Sequence, residues 1–474
     1  MTRQTPSSSP RSAIGLRLGA LAMALVMAGC TTLQTPYTQP AVQTPAQWEQ
    51  ARTANGDAAS IDRWWQQFND PALTLLVDTA LARNNDLAAA TSRVRQAQLQ
   101  AGLTGTALSP TVSASASSSA SRSLDSSNAP SSRGSGLSAS VSYEVDLWGK
   151  LASSRNAAEW EARASAQDRE STAQALVAST AGLYWQLAYL NERYAGGEQS
   201  LAYARQTLEL VQAQYRAGAV SSLEVREAQQ TVTTQQSTLS QLQQQRVETR
   251  NALAILLDAP PIQLTLQGTL KAEPQQLDTQ PLPEVAAGLP ADLLGRRPDL
   301  RAAELRLRTT LASGDATRAS YYPSLTLTGS LGTSSSSLLN LLSNPVATLG
   351  AGLALPFLRQ TEMKLSNQLS QAQYEEAVVT FRQTLYQAFA DVENALSSRK
   401  QLAEQGALLT QRLEAAREVE RLYEVRYRAG AAPLRTWLDA QESRRAAELA
   451  LSENRLSQYN ALATLYKALG GGAL

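Results

Sequence analysis

Four segments of the chain alternate apolar residues with small polar ones. In GLSASVSYEVDLW, every second residue from Leu137 to Leu147 is apolar, and Ser, Glu or Asp stand between them. The same alternation runs through PSLTLTGSLGT and TLGAGLALPF, and more weakly through TVSASASSSA. A period of two places the apolar side chains on one face of a strand. The pattern predicts strands at about 109–121, 136–148, 322–333 and 346–357.

These strands have the length and the connections of barrel strands. They are about ten residues long, and the loops between them, DSSNAPSS and SSSSLLNLLSNP, are polar or helix-like. A soluble sheet with one covered face would show the same alternation, but this length and these loops favour a transmembrane barrel. A membrane barrel has to close, and known single-chain barrels begin at about eight strands. Several protomers must therefore contribute strands, and three would supply twelve.

Long helices are predicted between the strand pairs. The stretch from Leu151 to Arg216 contains no proline, and the stretch from Lys364 to Arg428 contains no proline and one glycine, Gly406. Both are rich in Ala, Glu, Arg and Gln, which favour helix. A helix of roughly sixty-five residues would extend about 100 Å and is typical of a coiled coil. The helix that follows the first stretch shows heptad spacing, in the two series Val225, Val232, Leu239 and Ala228, Gln235, Leu242.

The chain contains an internal duplication. The tetrapeptide YRAG occurs at 215–218 and at 427–430, which is 212 positions apart (427 − 215). Two earlier pairs of segments correspond at an offset of 213, namely 84–100 with 297–313 and 107–115 with 320–328. A tandem repeat of this length predicts one intertwined body in place of separate domains. Each repeat is expected to contain a helix, two strands, a long helix, a hairpin tip and a helix.

The duplication fixes the expected domain boundaries. We predict a signal peptide at 1–29, an N-terminal segment at 30–70, the first repeat at 71–258, a linker at 259–290, the second repeat at 291–469 and a tail at 470–474. Within each repeat, the glycine of YRAG is expected to take the left-handed conformation that ends a helix. Two helices joined by such a turn would form an antiparallel hairpin with the turn at its tip, although the local pattern at Gly218 and Gly430 by itself indicates no more than a glycine C-cap.

The N-terminus has the pattern of an export signal. Three arginines precede the apolar run LGALAMALVMAG, which is shorter than the ~20 residues of a transmembrane helix. The sole cysteine, Cys30, follows directly and resembles the modified cysteine of a bacterial lipoprotein. An ordinary signal with an unrelated cysteine is the alternative. Thr31 stands where such lipoproteins carry Asp for inner-membrane retention, which favours the outer membrane.

Composition narrows the chemistry. The 474 residues include 42 basic and 41 acidic side chains, so the net charge of +1 indicates no nucleic-acid partner. The chain has no histidine and one cysteine, which removes imidazole bases, Cys–His nucleophiles and internal disulfides. We therefore expect no cofactor, no metal and no catalytic residue. A hydrolase with paired carboxylates stays open in principle, although no acidic cluster accompanies a pocket-like segment.

The motifs together resemble those of a known family, the TolC-like outer-membrane efflux factors, in the NodT/OprM-type lipoprotein branch that serves resistance-nodulation-division pumps. The resemblance rests on GLPADLLGRRPDLRAAE (288–304), the two YRAG turns, LDAQ (438–441), YEVDLWG (143–149) and LYKALGGG (465–472). It implies a homotrimer with mixed α and membrane β structure. Twelve strands, four from each protomer, would form an outer-membrane β-barrel, and long α-helices would continue it as a periplasmic barrel. An equatorial domain would surround the helices, built from the N-terminal periplasmic or equatorial segment (30–70) and the inter-repeat linker (259–290).

The resemblance also implies a function and sites. The chain would be the passive exit duct of a tripartite pump, in contact with outer-membrane lipid, a periplasmic membrane-fusion (adaptor) protein and an inner-membrane pump. The expected adaptor-contact tips are Arg216, Ala217, Gly218, Arg428, Ala429 and Gly430. Several family members carry an acidic gate residue just after the second turn, but here Ala432 and Pro433 occupy that place. The remaining gate candidates are Arg421, Glu424, Arg435 and Asp439, for which ordinary solvated ion pairs are the alternative.

Other functions remain to be compared with the duct. Within the duct class, the outer-membrane channel of a type I protein secretion system is the alternative, which the lipoprotein signal disfavours. A coiled-coil scaffold or adhesin in the outer membrane is a further alternative, but it has no need of a duplicated chain or a closed barrel.

We predict that Cys30→Ala abolishes lipidation and leaves the trimer in the outer membrane, because twelve strands bury far more apolar area than acyl chains do. Mass spectrometry of the purified chain measures the lipid, and membrane fractionation measures insertion. Thr32→Ala is the control and should keep the lipid. Loss of the Cys30→Ala chain from the outer membrane would contradict the prediction.

Overall fold

A computed structural model describes residues 33–49, 62–122, 131–260, 273–285, 288, 290–337 and 340–472. Eight α-helices and four strands are described in these ranges. The helices are α1 (Pro71–Arg83), α2 (Asn85–Gly105), α3 (Lys150–Arg216), α4 (Ser222–Leu256), α5 (Leu293–Arg296), α6 (Pro298–Ala319), α7 (Gln360–Arg428) and α8 (Leu434–Ala468). The strands are β1 (Thr111–Arg122), β2 (Ser131–Val145), β3 (Ser324–Ser335) and β4 (Pro345–Ala354).

The chain divides into two compact units, and each takes segments from both repeats. The strand unit comprises Met1–Ala41, of which residues 33–41 are described, together with Val94–Ala164 and Ala303–Phe381. The helical unit comprises Val42–Arg93, Ser165–Ala302 and Arg382–Leu474. The predicted domain boundaries follow the repeats along the chain, whereas this division cuts across them.

The strand unit contains one antiparallel sheet in the order β1-β2-β3-β4. The β2–β3 pairing joins the two repeats, with Val141 opposite Gly329 and Leu325 opposite Val145. Val112 pairs with Val141, Val141 with Gly329 and Gly329 with Leu349, so one face of the sheet carries an apolar band across all three ladders. Toward one end of the strands the same face becomes polar, where Leu137 pairs with Thr333 and Ser118 with Ser135. This face is uncovered within the protomer, and Leu349 is 90% exposed.

The bounds of two strands differ from those that the alternation predicts. β2 begins at Ser131 and ends at Val145, whereas the pattern predicts 136–148. Asp146 ends it early, since its carboxylate accepts hydrogen bonds from the amides of Leu151 (3.1 Å) and Ala152 (2.8 Å) at the start of α3. β4 ends at Ala354 and not near 357, because Pro356 has no amide hydrogen for a ladder and begins a short 3₁₀ helix.

The N-terminal segment of the strand unit is fixed to α6. Thr35 donates hydrogen bonds from its amide (2.7 Å) and its hydroxyl (2.6 Å) to the buried carboxylate of Asp315. Two residues later, the Tyr37 ring lies 4.3 Å from the Arg308 guanidinium. A cation over an aromatic face contributes about 1 kcal/mol, so these contacts hold the extended segment against the helices.

The helical unit is built on an aromatic core. Trp64 stacks on Tyr466 with ring centroids 5.0 Å apart, and Trp185 lies 4.9 Å from Tyr459. Asp70 caps α1 by accepting from the amides of Ala72 and Leu73, and its second oxygen accepts from the Tyr184 hydroxyl at 2.7 Å. Burial first, then this hydrogen bond to a carboxylate, raises the pKa of Tyr184. The core therefore joins the segment before α1 to helices α3 and α8.

The long helices are continuous. α3 has 67 residues and α7 has 69, so each extends about 100 Å. In α4 the second heptad series is the buried one, and it includes Ala228, Gln235, Leu242 and Thr249. A buried stripe this thin and partly polar is typical of helices that pack sideways against neighbours. Among the described residues, no helix combines the length and the hydrophobicity needed to cross a membrane.

The RRPD motif places a buried arginine among three helices of the helical unit. Arg297, which is 9% exposed, contacts Asp299 at 2.6 Å and Asp391 of α7 at 3.2 Å, and donates to the Ala468 carbonyl at the end of α8. Burial alone would raise the pKa of Asp299, but the hydrogen bonds and charge of Arg297 outweigh it and lower that pKa. Arg297 therefore ties α6, α7 and α8 together.

Both YRAG turns are helix C-caps of the same geometry. Gly218 has φ +75° and Gly430 has φ +71°, as the sequence predicts. The amides of Gly218 and Ala219 donate to the carbonyls of Tyr215 (3.0 Å) and Gln214 (2.9 Å), and the second turn repeats this pattern. Such paired bonds define a Schellman motif, which requires the left-handed residue. The two turns join α3 to α4 and α7 to α8.

We predict that Gly218→Ala destabilises the protein by roughly 1 kcal/mol, because an alanine is strained at positive φ. The added methyl group meets no atom within 4 Å, so conformation alone sets the cost. Gly196→Ala, inside α3, is the matched control: its methyl group is equally uncontacted, and alanine should stabilise a helix interior by roughly 1 kcal/mol. The midpoints of thermal unfolding should move in opposite directions. A shift of the same sign for both variants would refute the assignment.

Candidate functional site: the paired hairpin tips

A small aromatic cluster holds the two hairpin tips of the helical unit together. We call it the tip core; it consists of Val211, Ala228, Tyr427, Leu434 and Trp437. These residues come from α3, α4, α7 and α8, so every helix of both hairpins contributes. Tyr427 stacks on Trp437 with centroids 5.1 Å apart, and the Tyr427 hydroxyl donates to Gln214 of the other hairpin at 2.6 Å. The two tips of a protomer therefore form one packed pair.

The two copies of YRAG have different environments. Tyr427 is buried in the tip core at 7% exposure, whereas Tyr215 is 49% exposed. After the first turn, Ser221 and Glu224 form a capping box that starts α4. After the second turn, Pro433 occupies the N-cap position without a side-chain cap, and the buried Leu434 follows. The duplicated sequence has thus diverged into a first tip whose tyrosine is exposed and whose second helix has a side-chain cap, and a second tip whose tyrosine is buried and whose second helix has none.

All six predicted adaptor-contact residues lie at the tips, and all are exposed: Arg216, Ala217, Gly218, Arg428, Ala429 and Gly430. The Ala and Gly positions leave the backbone accessible, which allows close approach of another helix. Arg428 pairs with Glu424 at 2.6 Å along α7. Nothing in the geometry of one protomer tests whether an adaptor binds there, so the role of these residues remains a prediction.

The predicted gate residues form ion pairs within the protomer. Arg421 pairs with Glu418 one turn earlier at 2.6 Å. Arg435 lies 3.4 Å from Asp439 and 3.6 Å from Glu227 of α4, so one of the candidates links the two hairpins. Arg435 and Asp439 are 71% and 65% exposed. Exposed pairs of this kind contribute at most about 1 kcal/mol, and their role in a gate remains a prediction.

A second charged cluster lies in the same hairpins and was not predicted. Glu420, which is 8% exposed, forms an ion pair with Arg444 of α8, and Arg444 also contacts Glu448 at 2.6 Å. Burial opposes the charge of Arg444, but Glu448 and Glu420 outweigh it and raise its pKa. Burial first, then Glu424 and Glu420, raises the pKa of Tyr203 to about 12. The Glu420–Arg444 ion pair therefore joins α7 to α8 at a distance from the turn.

The sequence contains one signal that points to the tip core. At the repeat offset of 212, Trp437 occupies the position that Val225 has in the first copy. A large aromatic residue in one copy of a repeat, within an otherwise polar helix, indicates a local packing site. Cys30, the predicted lipidation site, lies outside the described residues.

Comparison with known proteins identifies the family. Residues 76–258 and 289–471 match the family described as outer membrane efflux protein. The pyoverdine export outer membrane protein OpmQ of Pseudomonas putida is 36% identical over 461 residues, covering 95% of this chain and 96% of that protein. The toluene efflux pump outer membrane protein TtgC of Pseudomonas putida is 33% identical over 464 residues, covering 95% and 94%.

Solved structures show the same fold. The open state of the Neisseria gonorrhoeae MtrE outer membrane channel has a TM-score of 0.75 at 31% identity, over 94% of this chain and 99% of that chain. The Campylobacter jejuni CmeC outer membrane channel has a TM-score of 0.84 at 23% identity, over 93% and 95%.

The expected fold class is confirmed: four strands per protomer in a trimeric twelve-stranded outer-membrane barrel, with a periplasmic helical barrel and an equatorial domain. The family forms trimers that work with partner pump components. The chain therefore belongs to the outer membrane efflux protein family and is an outer-membrane exit duct, a channel and not an enzyme.

Proposed function

We propose that this duct works with a periplasmic membrane-fusion (adaptor) protein and an inner-membrane pump of the resistance-nodulation-division class, and that the adaptor docks on the hairpin tips. The observation that supports docking is the pair of exposed small-residue turns, Arg216–Gly218 and Arg428–Gly430, held side by side by the tip core. A packed pair presents a fixed surface, which lowers the entropic cost of binding. The pump class rests on the lipoprotein-branch resemblance.

We propose small organic molecules as the transported class. Relatives are named for pyoverdine export, toluene efflux and antibiotic efflux. The sheet face opposite the apolar one carries Ser, Thr and Gly at nearly every position, with hydroxyl pairs such as Ser113–Ser140 at 2.7 Å. In a barrel whose apolar face meets lipid, this face lines the lumen. A lumen lined by small neutral hydroxyl groups discriminates weakly between charged and neutral molecules. This is expected of a duct in which the pump determines substrate specificity.

Bulky residues at the tips test the docking proposal. Ala217→Trp combined with Ala429→Trp should abolish efflux, because both alanines are exposed at the turns and an indole there blocks close approach of a helix. The efflux-dependent drug resistance of cells should fall to that of a strain lacking the chain, while the trimer and its conductance stay unchanged. Crosslinking to the adaptor should fall in parallel.

Ala195→Trp is the matched control for this experiment. Ala195 is also exposed on α3, but it lies 22 residues before Ala217, or about 33 Å along the helix. Efflux should persist in this variant. Full resistance in the Ala217→Trp, Ala429→Trp double variant would overturn docking at the tips. Purification with an ATP-driven transporter, or loss of a secreted protein on deletion, would overturn the proposed pump class.

We further propose that Arg435 and Asp439 help to hold the periplasmic mouth closed. Replacing both by Gln and Asn should raise single-channel conductance in planar bilayers, because the charges that could latch neighbouring hairpins are removed. The matched control is Arg155→Gln with Glu159→Gln, an i,i+4 pair at 3.1 Å with 44% and 42% exposure in the strand unit. Conductance equal to that of the unmodified channel in both variants would discard the gate.

A further inference from the structure

Charged residues are rare in the described strands and unevenly placed. Among the residues of β1 to β4, the charged side chains are Arg122, Arg133 and Glu144. Glu144 is at the helix-proximal end of β2 and pairs with Lys150, the first residue of α3. The two arginines are at the opposite end, where β1 and β2 approach their connecting loop. The two arginines therefore lie at the end of the strands away from the helices, and their role is separate from adaptor docking and from transport.

The register places both arginines on the apolar face. Arg133 pairs with Ala120, and Arg122 is two positions beyond Ala120 on β1, so the arginines are diagonal neighbours roughly 7 Å apart. Side chains two positions apart share a face, which puts Arg133 on the face of Leu137 and Val141. Because that face meets lipid in the barrel, both guanidinium groups extend from the lipid-facing surface.

The arginines lie at the outer border of the apolar band. Outward along this face, Leu137 opposite Ala116 is followed by Ser135 beside Ser118, whose hydroxyls are 3.2 Å apart, and then by Arg133. From Val145 to Arg133 the strand runs about 40 Å, which a barrel tilt of ~40° reduces to about 30 Å of height. The apolar band of such barrels is about 25 Å tall. Since the helices are periplasmic, the arginines reach the headgroup level of the outer leaflet.

We propose that Arg122 and Arg133 bind a phosphate group of the phosphorylated glycolipid (lipopolysaccharide) in the outer leaflet. An arginine fork matches phosphate geometry and can donate two parallel hydrogen bonds. With their backbone positions roughly 7 Å apart, two such long side chains can hold one phosphate between them or two phosphates on one headgroup. The acyl chains of the same lipid pack on the apolar face below, where Leu137 is 43% exposed. The arginines thus lie at the level of the lipid headgroup, and the apolar face lies at the level of the acyl chains.

Lipid retention tests the proposal. The full-length trimer is reconstituted in phosphatidylcholine vesicles that contain diphosphoryl lipid A, extracted in mild detergent, and assayed for bound lipid A by native mass spectrometry. Arg122→Gln with Arg133→Gln should retain roughly tenfold less, because it loses charge-assisted hydrogen bonds. Arg122→Lys with Arg133→Lys should fall between, because it keeps the charge and loses the fork. Lipid A without phosphates should be retained poorly by the unmodified trimer.

The matched control is Arg93→Gln with Arg95→Gln, which removes the same charge from exposed positions of α2 and should retain lipid A fully. Equal loss in this control and in the Arg122, Arg133 variant would overturn the proposal, as would equal retention of phosphorylated and dephosphorylated lipid by the unmodified trimer. Full displacement by inorganic phosphate would show an anion site without lipid specificity and would also overturn it. If the glutamine variant does not assemble, the proposal is tested by the lysine variant and by the retention of phosphorylated and dephosphorylated lipid A on the unmodified trimer.

Discussion

In the sheet of one chain, β1 and β4 each pair on one side only among the described strands. Their outer edges present amide and carbonyl groups that hydrocarbon cannot solvate, and each unsatisfied group costs several kcal/mol. The sheet is therefore stable in a membrane only when the β1 edge of one protomer meets the β4 edge of the next. Closure by three protomers satisfies both edges, so trimerisation is a condition of membrane insertion. Membrane insertion also explains why no part of the protomer covers the apolar face of the sheet, since lipid covers that face in the barrel.

Duplication supplies the four strands but leaves two unlike hairpins in each protomer. A trimer of identical single hairpins would present equivalent tips, whereas here Tyr215 is exposed and Tyr427 is buried at corresponding positions. Trp437 accounts for the difference, because it stacks on Tyr427, whereas the first repeat has the smaller Val225 at the corresponding position. The trimer therefore presents six tips of two kinds, and a partner can distinguish them by shape.

Local patterns predicted the elements whose structure depends on neighbours in sequence. Period-two alternation located the strands, and the YRAG glycines located the turns, because a positive φ is a local requirement. The start of β2 at Ser131 was not predictable, since Ser131 to Gly136 carry no apolar alternation and are paired by β1 across the sheet. Arg297 stood in a recognised motif, but its partner Asp391 is 94 residues away and no local rule connects them. The Glu420–Arg444 ion pair was not predicted for the same reason, since its two residues lie on different helices.

The contacts at the tips also constrain how the mouth can open. Separating the two hairpins of a protomer would expose Tyr427 and Trp437, and exposing a large buried apolar side chain costs about 1.5–3 kcal/mol. The Arg435–Glu227 contact between the same hairpins is long, at 3.6 Å, and its Arg435 side chain is 71% exposed, so it resists separation by about 1 kcal/mol. Packing, and not this ion pair, therefore keeps the hairpins together. Any motion of the tips that preserves this packing therefore moves both hairpins of a protomer as one piece.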